Sequence, residues 1–160
     1  MGTYPVNLVV TGRAVLVVGG GRVATGKVRR LVEAGAVVTV VAPAICDEIV
    51  AMGVAVERRH YERGEVAGYR LAVTATGTDV DAEVFADGEA AGVWVNAADD
   101  PAHCSFTLPA VARRGAIQVA VSTGGQSPAM ASWLRARFEA ELGPELETLL
   151  EILHDEREAL

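Results

Sequence analysis

The stretch Val15-Leu16-Val17-Val18-Gly19-Gly20-Gly21-Arg22-Val23-Ala24-Thr25-Gly26-Lys27 limits the possible folds more than any other part of this 160-residue chain. An apolar, β-branched run that ends in three glycines and passes straight into a helical pattern is a strand buried on both faces, a tight turn and a helix. Two phosphate-binding turns fit these letters. Gly19-x-Gly21-x-x-Ala24 has the spacing of the turn that opens a dinucleotide-binding βαβ unit, while Gly21-x-x-x-x-Gly26-Lys27 is one residue short of a Walker A loop. Walker A needs a hydroxyl directly after its lysine to ligate magnesium, and Val28 has none. A Rossmann turn needs the preceding strand, small residues at Gly19, Gly21 and Ala24, and a helix whose first N–H groups face a pyrophosphate. All three are present. Lys27, the only lysine in the chain, falls one turn into that helix as a solvated or phosphate-facing charge.

The pattern alternates onward as α/β. Ala14–Val18 is the first strand, and Ala24, Val28, Leu31 and Val32 form the stripe of a helix that stops at Gly35. Val37–Val41 is a second strand, closed by Ala42-Pro43. The pattern predicts a helix over Asp47–Met52, strands at Val54–Glu57 and Arg70–Thr74, a helix from a Thr78 cap to Ala91, and a strand at Val93–Ala97. Strands alternating with helices give a parallel sheet. Beyond Pro101, Ser105–Leu108 and Ile117–Ser122 read as extended. Ser127-Pro128 is a cap and first-turn proline for a helix over Ala129–Leu142, and Glu145–Ala159 reads as a last, acidic helix. Residues 1–108 are expected to form the Rossmann domain, 109–142 a second region, and 143–160 a short helical segment.

Charge and cysteines narrow the classes of partner. The formal charge of −7 argues against nucleic acid and membrane surfaces, which an acidic chain repels without a local basic patch. Cys46 and Cys104 have no CxxC spacing, so neither a disulfide framework nor a thiolate zinc cluster is expected. No basic leader precedes an apolar stretch and no segment approaches a membrane span, so the expected location is the cytoplasm. At the end of the second strand, where many NAD enzymes place an acid for the ribose, stand Val41-Ala42-Pro43-Ala44. Backbone groups at Pro43 and Ala44 must then hold the ribose. With no basic residue there to clamp a 2′-phosphate, NAD is favoured over NADP.

Asn96-Ala97-Ala98-Asp99-Asp100-Pro101-Ala102-His103-Cys104 follows the last Rossmann strand, at the sheet edge where open α/β folds bind ligands. It is equally good turn chemistry. Adjacent His103 and Cys104 rarely point at one ion, so no metal site is assigned.

The ordered set Val18-Gly19-Gly20-Gly21-x-Val23-Ala24-x-x-Lys27, Glu33-Ala34-Gly35-Ala36, Val40-Val41-Ala42-Pro43, Ala75-Thr76, Asn96-x-x-Asp99-x-Pro101, Ser105-Phe106 and Val119-Ala120-Val121-Ser122-Thr123-Gly124-Gly125-x-Ser127-Pro128 resembles the precorrin-2 dehydrogenase family of sirohaem synthesis. The resemblance covers about residues 3 to 140. It implies a homodimer, with residues 109–142 as the dimerisation region and a substrate cleft beside the Rossmann domain, and NAD held by Gly19, Gly21, Arg22, Val23, Ala24, Pro43, Ala44, Thr76 and Asn96. It also implies Asp99 as the catalytic base in the oxidation of precorrin-2 to sirohydrochlorin. Asp100 falls on a variable position, and Thr123 stands where relatives often carry serine. For the substrate's carboxylates the chain offers Arg113 and Arg114, Arg135 and Arg137, and the Ser122-Thr123-Gly124-Gly125 turn with Ser127, although such arginine pairs are most often solvated and a simple helix cap reads equally well. Bifunctional relatives that also insert iron have a longer helical domain, which leaves ferrochelatase activity as an alternative. A tetrapyrrole- or nucleotide-binding module without turnover is a third.

Overall fold

The computed structural model describes residues 2–158. They divide into two compact units. One is Asn7–Thr107, and the other runs from Leu108 onward and includes the described residues up to Val6.

The first unit is α/β. Its elements are β1 (Ala14–Val18), α1 (Arg22–Glu33), β2 (Val37–Val41), α2 (Asp47–Ala51), β3 (Ala55–Glu57), β4 (Leu71–Thr74), α3 (Val80–Ala91) and β5 (Trp94–Ala97). The five strands form one parallel sheet in the order β3-β2-β1-β4-β5. The order reverses between β1 and β4, which makes the crevice beyond their carboxyl ends the ligand position of this architecture. This is a Rossmann-like fold, as the alternation of strand and helix predicts. Successive side chains of a strand point to opposite faces, so the unit has two cores. Val17, Val38, Val40 and Val73 pack with Ala24 and Val28 of α1 and Ile49 of α2. Leu16, Val18, Val41, Ala72 and Val95 pack with Val84 of α3. Each such valine or leucine, fully removed from water, contributes about 1.5–3 kcal/mol over its exposed state.

The second unit pairs β6 (Ala110–Arg114) with β7 (Ile117–Val121) in an antiparallel hairpin, followed by α4 (Pro128–Glu141) and α5 (Pro144–Glu158). Residues up to Glu158 of the expected last helix are helical; Ala159 lies outside the described residues.

One expectation needs correction. Ser105–Leu108 is not a strand; Pro109 lacks a ladder donor and restricts Leu108, so pairing starts at Ala110. The hairpin turns on Gly115, whose φ of 52° favours glycine. Thr78 caps the start of α3 as expected: its hydroxyl accepts from the Val80 amide at 3.4 Å and its carbonyl from the Asp81 amide at 3.0 Å, while the Asp81 side chain turns back onto the preceding loop. Short 3₁₀ turns at Glu65–Gly68 and Pro101–His103 had no periodic signal and are new. Among the described residues no helix is long and apolar enough to cross a membrane.

Candidate active site at the sheet switch point

The glycine turn is built by close approach. A Cβ on Gly19, whose φ is 123°, would lie 2.6 Å from the Ala75 carbonyl oxygen after β4. A Cβ on Gly20 would lie 2.1 Å from the Ala44 carbonyl oxygen and 2.8 Å from the Ile45 Cα. The Cys46 amide also donates to the Gly20 carbonyl at 3.0 Å. The turn therefore fits directly against both loops that border the crevice. Gly21 is different, because a Cβ there would meet nothing within 4 Å. It is the N-cap of α1, with no side-chain cap bond and no acidic residue in the first turn. Uncapped N–H groups, open space and no competing negative charge fit a pyrophosphate. Arg22 and Val23 of that first turn are exposed and Ala24 is buried against the sheet.

Thr76 lies on the other border. Its N–H and hydroxyl both donate to Asp81 Oδ1, at 3.1 and 2.7 Å, and its hydroxyl lies 2.9 Å from that of Thr78. Asp81 also accepts from the Gly77 amide at 2.9 Å and from the Thr74 hydroxyl. Although it carries no recognised motif, this buried carboxylate organises the loop after β4. A helical acid just inside a helix that starts after a Thr-Gly-Thr run was its only trace in the sequence.

Asp99 and Asp100 separate sharply in role. Asp100 accepts from the Ala102 amide at 3.2 Å and contacts His103 Nδ1 at 2.6 Å, with the His103 ring edge-on to Phe85. The His103 hydrogen bond holds its carboxyl below the usual carboxylate range. It is a cap for the Pro101–His103 turn. Asp99 is exposed, accepts no hydrogen bond among the described residues, and has φ 62°, the one non-glycine positive φ described. Left-handed backbone at a non-glycine residue costs about 1–3 kcal/mol and persists where surrounding structure imposes it. Asn96 imposes part of that structure: it is buried, and its amide donates to the Phe106 carbonyl at 2.9 Å and toward Cys104 Sγ at 3.5 Å. The Asn96 donor is thus turned inward to tie down the loop.

Lys27 is not freely solvated. It is half-buried on α1; burial foremost, and then the neighbouring Arg30, pull its pKa below the usual lysine range, while Asp99 and Cys104 act the other way. An ammonium in electrostatic reach of Asp99 was not foreseen. Burial pushes the Cys104 thiol up. Among the described residues no three of His, Cys, Asp and Glu gather as metal ligands.

In the second unit the predicted arginines part ways. Arg114 Nε donates to the Leu142 carbonyl at 2.9 Å and so closes the end of α4. Arg135 pairs with Glu139, and Arg137 with Glu141 at 3.3 Å while lying over Trp133. Arg113 is exposed and has no ion pair among the described residues. Ser127 caps α4 by accepting from the Met130 amide at 3.1 Å, and Thr123 brackets it, accepting from its amide at 3.2 Å and donating to its carbonyl at 3.1 Å. Ser122 accepts from the Gly124 amide, and Gly124 and Gly125 carry φ of 62° and 82°, a turn only glycine makes readily.

Residues 6–110 match the family described as putative NAD(P)-binding. The chain belongs to that family. Its cofactor, by that description, is a nicotinamide dinucleotide. A second family, sirohaem biosynthesis protein central, matches residues 114–141. The siroheme synthase of Tolumonas auensis is 40% identical over 152 residues, covering 93% of this chain and 32% of that relative. That of Pseudomonas putida strain F1 is 41% identical over 134 residues, 81% of this chain and 29% of the relative. This NAD(P)-binding chain therefore spans about a third of the length of the curated relatives it matches. A solved structure of SirC, precorrin-2 dehydrogenase, superposes with a TM-score of 0.76 at 27% identity, over 96% of this chain and 78% of that one.

Proposed function

We propose that the chain oxidises precorrin-2 to sirohydrochlorin as a cytoplasmic homodimer, with NAD+ as the acceptor. NAD+, when bound, supplies the place for the departing hydride. Gly19, Gly21 and the first turn of α1 with Arg22, Val23 and Ala24 seat the pyrophosphate. Pro43 and Ala44 offer backbone groups to the ribose, and Thr76 borders the crevice from the β4 side. Asn96 is assigned to holding the Asp99 loop. No charged residue stands within Val41–Ala44, which suits the free hydroxyls of NAD. In the second unit, Arg113 and the Gly124-Gly125 turn are assigned to the substrate's carboxylates, with Ser122, Thr123, Ser127 and Arg114 supporting that turn and hairpin.

The observation that carries the proposal is Asp99: a carboxylate with no hydrogen-bond partner among the described residues, on strained backbone at the sheet's ligand edge, with Lys27 in electrostatic reach. Removal of a hydride from the macrocycle leaves a proton to be taken, and Asp99 is the group free to take it. The match to SirC, precorrin-2 dehydrogenase, supports the same reading. NADH formation from precorrin-2 and NAD+ tests it. Asp99→Ala should lower kcat about a hundredfold or more. No turnover by the wild type, or undiminished turnover by the variant, would overturn the proposal.

A further inference from the structure

No basic residue lies within Val41–Ala44 at the ribose end of the crevice, yet the fold brings one to the adjoining Ile45 from 13 residues further along. β3 pairs with β2 in the register Thr39↔Ala55, Val40↔Val56 and Val41↔Glu57, so both strands end at the same sheet edge. Arg58 is the next residue after β3. The Ala42 amide donates to the Glu57 carbonyl at 3.1 Å, and Arg58 Nη1 donates to the Ile45 carbonyl at 3.2 Å. The Ala44-Ile45 segment that Arg58 flanks is the one against which Gly20 packs.

Arg58 also keeps its charge available. The acid beside it, Glu57, is taken by Arg59, which holds Glu65 as well. Arg58 is exposed and forms no ion pair among the described residues. One of its donors is anchored on a backbone carbonyl, which limits the side-chain freedom that binding would remove, and the remaining guanidinium donors are open. An anchored guanidinium with open donors is the chemistry that recognises a phosphate.

Resting on the assignment of the crevice to a nicotinamide dinucleotide, we propose that Arg58 seats an adenosine 2′-phosphate, so that the site takes NADP as well as NAD. Calorimetric titration of the whole chain with NADH, NADPH, adenosine 5′-monophosphate and adenosine 2′,5′-bisphosphate tests this without turnover. The wild type should bind the bisphosphate about tenfold more tightly than the monophosphate, with the margin shrinking as salt is raised. Arg58→Gln keeps a donor for Ile45 and removes the charge. It should lose that margin and weaken NADPH about tenfold, while NADH binding stays within about twofold. A wild type that binds NADH but not NADPH, or an Arg58→Gln variant that binds all four ligands as the wild type does, overturns the assignment to Arg58. If neither NADH nor NADPH binds, the dinucleotide assignment itself falls and takes this one with it.

Discussion

Asp81 shows how one side chain can govern a binding loop without touching a ligand. It is 4% exposed and has no cationic partner among the described residues, yet it receives donors from Thr74, Thr76 and Gly77. Asp81→Asn would replace one accepting oxygen with a donor that faces other donors. The expected loss is about 1–3 kcal/mol, read as a lower denaturant midpoint. Because Ala75 lies directly against Gly19, the loosened loop should also weaken NADH binding in titration. An Asn variant with unchanged midpoint and unchanged binding would show the loop to be held by other means. Asp99 is the contrasting residue, where strain is retained and, among the described residues, its carboxylate accepts no hydrogen bond.

At the scale of elements, α3 is tied to the connection between β3 and β4 through Asp87. Its carboxylate accepts from Arg63 Nη2 at 2.6 Å and Nε at 3.0 Å, from the Tyr61 hydroxyl at 2.9 Å and from the Gly64 amide at 2.7 Å. Arg63 foremost, with the Gly64 and Tyr61 donors, holds its pKa down to about 2. A depressed carboxylate stabilises the fold fully above its unfolded pKa of about 4, and that stability is lost as pH falls from there toward 2. Asp87→Asn should therefore be less stable at neutral pH and fall less steeply than the wild type between pH 4 and 2, as followed by denaturant midpoints at each pH. Equal slopes would remove Asp87 from the account. The core elements of the first unit were legible in the sequence because apolar runs and the 3.6-residue stripe encode burial directly. Less legible were β6, set by where Pro109 forbids pairing, and the Asp81 and Asp87 clamps, whose partners lie 4 to 26 residues away. Gly19 and Gly21 could be read from spacing, whereas spacing alone left the Asp99 stretch as good turn chemistry and only the family resemblance singled Asp99 out. Arg58 and Lys27 could not, because strand register and helix docking put them in place.

At the scale of the whole molecule, the second unit exposes apolar side chains among its described residues. No described residue of α5 is buried, and Leu149, Leu150, Ile152 and Leu153 are exposed, as are Met130 and Trp133 of α4. Exposed apolar faces of this kind mark association surfaces. Sedimentation should give twice the chain mass, and Leu149→Glu with Leu153→Glu should give the monomer with NADH binding intact; a monomeric wild type would contradict the proposed homodimer. The loop that presents Asp99 has a further consequence for the molecule. Cys104 bridges Asn96 in antiparallel fashion, and the Ser105 amide donates to the Val95 carbonyl at 2.8 Å. The same loop thus covers the outer edge of β5, which would otherwise offer unpaired amides to another chain's strand. Insertions or grafts made there to retarget the chemistry would uncover a template for aggregation, so solubility and catalytic redesign are opposed at this one segment.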